Sequence, residues 1–136
     1  MDEETHDELT THVERLEVNA SKLVNRYVKE GLRMDKHPAI GFKTTPQGRR
    51  AAVLKAHAGI QVVDVIGTFR AESQDAGKTA RYLHVTEDEV GAVLRYYADY
   101  RDEVDRDLKE HLDTQRNFKR VLEHRAAQAR RRVANG

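Results

Sequence analysis

No cysteine occurs among the 136 residues, and that absence removes disulfide bridges, thiolate nucleophiles and every zinc site built on sulfur. No run of apolar residues approaches the length that crosses a bilayer, and the charged amino terminus lacks the apolar stretch of a secretory signal. A soluble, cytoplasmic protein is expected. Aromatic residues make up only 6% of the chain and proline occurs twice, against 35% charged residues. A chain of this length suits one domain, or two small ones sharing a core. That core must be narrow, with much of each helix facing water. An extended or oligomeric helical protein fits this balance.

What is present is charge in blocks. Residues 1–35 carry five basic and nine acidic groups, 36–81 eight and three, 82–113 four and ten, and 114–136 seven and one. The formal net charge of +1 hides this alternation. An anionic partner is drawn to the second and fourth blocks and repelled by the others.

The chain divides into three segments by pattern. In residues 1–36 the spacing of Leu9, Val13 and Leu16 predicts a first helix. A polar break at Val18, Asn19 and Ala20, with Ser21 as a cap, leads to a second helix bearing Leu23, Val24, Tyr27, Val28 and Leu32. Such a helical hairpin is too short to bury both stripes alone and is expected to pack on the rest of the chain or on a second copy, with dimerisation as its role. Segment 37–105 starts where Pro38 pushes His37 out of helical geometry. A β-hairpin is expected over 40–43 and 49–54, turned by Pro46 and Gly48. Gly59 then opens a helix through Ile60, Val63, Val65, Ile66 and Phe69, although the β-branched run also permits a strand at its start. Residues 73–77 read as a polar loop.

A helix, tight turn and second helix follow, over 79–84 and from Thr86 onward, with Thr86 and Glu89 at capping-box spacing. The second helix continues into 106–136, where Val104, Leu108, Leu112, Phe118 and Leu122 keep to one side. It ends in a frayed basic tail at 130–136.

Ala80, Leu83, Val85, Val90 and Val93 supply the small and apolar positions that hold two helices of a helix-turn-helix at a steep angle, and His84 occupies the turn position where glycine is common. Glu87, Asp88 and Glu89 would repel a phosphate backbone and are read as capping residues. The candidate DNA-binding residues are therefore Lys78, Arg81 and Arg95 together with Lys43, Arg49 and Arg50 of the hairpin, which would form a wing. The plainer reading of Arg49 and Arg50 has one solvated and the other paired with an acid such as Asp102 or Glu103. The alternative for the whole unit is an ordinary helix pair in a core.

Catalysis finds little support. His6, His12, His57, His84, His111 and His124 are available beside Asp99, Asp102, Glu103 and Asp105, but no HExxH or comparable ligand motif occurs. No metal site, cofactor or catalytic residue is assigned. Tyr96, Tyr97 and Tyr100 read as half-buried packing with hydroxyls at the rim.

Taken together, HPAIGFKTTPQGRRAAV, IQVVDVIGTF and YYADYRDEVD resemble the winged-helix module of bacterial antitoxins of the VapB type, whose partners are PIN-domain ribonuclease toxins. The resemblance covers about half of the chain. The preceding segment resembles the two helices of a ribbon-helix-helix unit, with Met1 standing directly before the first helix where that unit has a strand.

The fold expected is mainly α: a ribbon-helix-helix-like helical hairpin, a winged helix-turn-helix with a small β-hairpin, and a long C-terminal helix. The resemblance implies a dimeric autorepressor that binds its own operator DNA and inhibits a cognate toxin. An arginine arriving in trans would pair with the carboxylates of the toxin's active site. The candidate toxin-binding residues are Arg116, Phe118, Lys119, Arg120, Leu122, Arg125, Arg130, Arg131 and Arg132. The competing expectation is an oligomerisation module that binds no nucleic acid.

Overall fold

The computed structural model describes residues 3–135, and side chains from residue 5 onward. Helix α1 (Glu3–Lys36) leads into three strands, β1 (Ile40–Thr44), β2 (Arg50–Leu54) and β3 (His57–Gln61). Helices α2 (Val62–Ala71), α3 (Ala76–Leu83), α4 (Glu87–Asp99) and α5 (Arg101–Asn135) follow. The molecule is thus mainly helical, with a small antiparallel sheet in the order β1-β2-β3 and a long C-terminal helix. Among the described residues, no helix is long and apolar enough to cross a membrane.

The expected hairpin is present. Ile40 pairs with Leu54 and Thr44 with Arg50, and the Gly48 amide donates to the Thr45 carbonyl at 2.9 Å. Pro46 supplies the fixed φ that such a turn uses, and Gly48 takes φ 82°, open only to glycine without strain. The third strand is a correction, because His57–Gln61 is extended and pairs with β2 through an irregularity at Val53 and Leu54. Gly59 opens no helix. The β-branched run turns helical only at Val62, where the Gln61 amide donates to Asp64 Oδ2 at 2.8 Å and closes a capping box.

The helical hairpin expected at the amino terminus is likewise replaced by one continuous helix of 34 residues. Neither proline nor glycine stands between residues 3 and 30, and asparagine or serine inside a helix costs only about half a kcal/mol. Ser21 therefore stays in the helix instead of capping a new one, and no hairpin of the ribbon-helix-helix kind forms.

Two boundaries also move. The expected loop over 73–77 shrinks, since Asp75 caps α3 and Ala76 and Gly77 already belong to it. The continuous helix from Thr86 breaks at Tyr100, which leaves helical geometry at φ −129°, ψ 39°. From there α5 is helical to Asn135, where a frayed tail was expected.

The core lies within residues 37–108. Ile40 and Leu54 of the sheet, Val62, Val65 and Ile66 of α2, Ala80 of α3, Val90, Val93 and Tyr96 of α4, and Val104 and Leu108 of α5 are all buried. Each such valine, leucine or isoleucine contributes about 1.5–3 kcal/mol on leaving water. The outer parts of α1 and α5 project from this body as two helical arms.

Candidate functional site

Both hairpin arginines are held by carboxylates of this same chain. Arg49 Nη2 lies 2.6 Å from Glu110 Oε2 and 3.5 Å from Asp107 Oδ1, both on α5. Arg50 reaches α1, with Nε 3.0 Å from Glu30 Oε2 and Nη2 paired with Glu30 Oε1. Its Nη1 donates to Thr44 Oγ1 at 3.0 Å, and Glu30 is buried. The pair is bidentate, the strong form of an arginine–carboxylate contact. Sequence reasoning named Asp102 and Glu103 as possible partners, whereas the chain uses Glu30, Asp107 and Glu110. Both guanidinium groups are ion-paired within the chain, Arg50 with a buried acid and Arg49 at a half-exposed surface site. Together they fasten both arms to the sheet. Lys43, on β1, is half-buried and makes no ion pair among the described residues.

The two-helix unit forms as its local signals dictate. The Asp75 carboxylate accepts from the Lys78 amide at 2.8 Å, and this bond, with the charges of Lys78 and Arg81, holds its pKa below the usual range. Buried Thr79 donates to the Asp75 carbonyl at 2.8 Å. His84 takes the left-handed conformation, φ 57°, ψ 44°, at the turn position flagged in the sequence.

Thr86 and Glu89 close the capping box, and the Thr86 bond holds the Glu89 pKa low, helped by His57 at 3.3 Å. Lys78, Arg81 and Arg95 are exposed and form no ion pair among the described residues. The exposed carboxylates Glu87 and Asp88 stand in the first turn of α4, so this face is electrically mixed.

The bases of the arms meet in a knot of polar and aromatic groups. Arg33 of α1 lies over the Tyr100 ring at 3.9 Å, places Nη2 2.6 Å from Glu103 Oε2, and donates from Nη1 to the Tyr96 hydroxyl at 3.0 Å. Burial pushes Tyr96 up to about 12, while burial of Glu103 is outweighed by Arg33 and Lys29, leaving its pKa low. His37 Nε2 sits 2.7 Å from Asp99 Oδ2, and Lys36 Nζ sits 3.0 Å away. Lys36 and then His37 depress Asp99. On the far side of α5, Tyr97 donates to Asp105 at 2.8 Å and Arg70 pairs with it at 2.7 Å. Tyr97 is half-buried with its hydroxyl bonded at the rim, as expected, whereas Tyr96 is fully buried in the core and Tyr100 packs through its ring. Among the described residues no three histidine or acid side chains gather where they would hold a metal ion.

Beyond the knot the arms are uncovered. Their large apolar residues, from Leu9 to Leu32 and from Leu112 to Val133, are 42 to 83% exposed. On α1, Leu9, Val13, Leu16, Ala20, Leu23 and Tyr27 recur at alternating steps of four and three, the spacing of a helix that packs along another. In the sequence this seam is masked by the expected break at Val18, Asn19 and Ala20, which falls in its middle. The four-and-three spacing was the signal that would have revealed it.

On α5 every candidate toxin-binding residue is exposed: Arg116, Phe118, Lys119, Arg120, Leu122, Arg125, Arg130, Arg131 and Arg132. Among the described residues only loose local ion pairs engage them, Arg116 with Asp113 at 3.9 Å and Lys119 with Glu123 at 4.0 Å. Between the hairpin and α5 runs an open groove of about 600 Å³, floored by Ala51, Val62, Val63 and Val104 and reaching Phe118.

No family model, curated protein or solved structure matches the chain.

Proposed function

We propose that this protein is a non-catalytic regulator of the antitoxin kind, acting in the cytoplasm through protein–protein contact, with α5 gripping a ribonuclease toxin of the PIN type. The observation that carries the reading is the uncovered stripe of α5, where Phe118 and Leu122 stand exposed among Arg116, Lys119, Arg120 and Arg125. Apolar anchors ringed by arginine are the composition of a protein-binding surface. Guanidinium groups delivered this way would pair bidentately with the carboxylates of a nuclease centre.

The test is capture and inhibition of the toxin by the full chain and by Phe118→Asp/Leu122→Asp. Loss of capture and release of ribonuclease activity are expected of the variant; unchanged inhibition would sink the reading.

Operator binding is the second reading. Lys78, Arg81 and Arg95 favour it, as exposed cations near the two-helix turn. A duplex would bind with an affinity that falls steeply as salt rises, and Lys78→Ala/Arg81→Ala/Arg95→Ala would flatten that slope. Absence of duplex binding at low salt leaves an assembly module without nucleic acid.

A further inference from the structure

We propose that a second copy of this chain covers the exposed stripes, the acidic outer half of α1 of one copy lying antiparallel along the basic outer half of α5 of the other. The inference takes from the preceding reading only that the arms are contact surfaces; because the two occupants share Phe118 and Leu122, a toxin would take α5 in place of the second copy.

The first argument is where the stripes point. Among the described residues, Lys29 and Arg33 of α1 form ion pairs with α5 of the same chain, at 3.5 and 2.6 Å from Glu103. At about 100° per residue they lie roughly 140° around the helix from the centre of the Leu9–Tyr27 seam. On α5 the stripe of Leu112, Phe118, Leu122, Ala126, Ala129 and Val133 continues the side on which Val104 and Leu108 enter the core. Glu103 sits roughly 110° away from that side by the same count. Within one chain the arms thus meet on their polar flanks, and neither stripe faces the other.

The second argument is charge. Residues 1–19 hold seven acidic groups and one basic, and residues 114–136 hold seven basic and one acidic. Toward the body the signs reverse: 20–33 hold four basic and one acidic, and 101–113 three basic and six acidic. Arms laid with their free ends together bring unlike charges into register along their whole length, and laid head to tail they bring like charges together. A twofold axis repeats the pairing, so both stripes of both copies are covered. Pairing α1 with α1 leaves the α5 stripe and its cations bare.

The cysteine-free chain makes the test direct. Leu16→Cys and Phe118→Cys chains, differently tagged, are refolded together and treated with a short bismaleimide. A dimer by sedimentation at tens of micromolar, with cross-links only between unlike chains, is expected. Lys119→Glu/Arg120→Glu should weaken the dimer at least tenfold, and adding Glu14→Lys/Glu17→Lys in the same chain should restore it. A monomer overturns the proposal, as does self-linking of Leu16→Cys. So does a Leu16→Cys/Phe118→Cys chain that links internally while remaining a monomer. Failure to capture a ribonuclease, by contrast, bears on the preceding reading alone.

Discussion

Val93 and Leu16 obey the same helical periodicity, yet the first is 0% exposed and the second 54%. The body between residues 37 and 108 and the two arms are written in one amphipathic pattern and meet opposite fates. In the body, sheet and helices close over one another and each apolar side chain finds neighbours from several elements. In the arms, one helix presents one stripe, and a lone helix has nothing to close against. An apolar stripe in a sequence therefore states a demand for cover, without saying whether this chain or another supplies it.

Four experiments break or sharpen that contrast. The largest effect is expected at Tyr96, 2% exposed at the junction of α4, the sheet and the arms. Tyr96→Ala should cost about 3–5 kcal/mol in urea unfolding, enough to abolish the folded body; a loss below 1 would deny that the core is centred there. Arg50→Ala leaves Glu30 buried without its cation and should cost about 1–3 kcal/mol. No loss of stability would mean that the α1 base is not fastened through this pair.

Acid titration comes third. Asp99, Glu103 and Asp105 all sit below their ordinary pKa in the fold, so their stabilisation is complete above the unfolded values, near pH 4, and is lost as pH falls through the folded ones. Asp107 is raised, chiefly by burial, and works in the opposite direction. Melting temperature should hold between about pH 7 and 5 and fall below about pH 4. A steady decline already near neutrality would contradict this assignment. Smallest is Leu16→Asp, which should shift unfolding of dilute, monomeric protein by less than about 0.5 kcal/mol. A larger loss would place that stripe in the core of its own chain.

The contrast also explains what the sequence disclosed. The hairpin turn at Pro46 and Gly48, the left-handed His84 and the Thr86–Glu89 box were legible because each is decided within about five residues by steric or hydrogen-bonding rules. The break at Tyr100 was not, because what accompanies it is remote: the ring lies beneath Arg33, sixty-odd positions earlier. The same holds for Arg49 and Arg50, whose acids come from α5 and α1. Ser21 misled because a capping residue only caps where the preceding backbone has left the helix. Gly59 misled because a run of β-branched residues serves either element until its neighbours are known.

Arg33 grips Tyr100, Glu103 and Tyr96 at once, with His37 and Lys36 on Asp99 one turn along. That cluster is a fulcrum. Helix α1 is about 50 Å long at 1.5 Å per residue, and its anchored end is bonded to the start of α5. The direction of the whole arm is thus set over its last turn, by the same guanidinium that holds the first turn of the opposite arm.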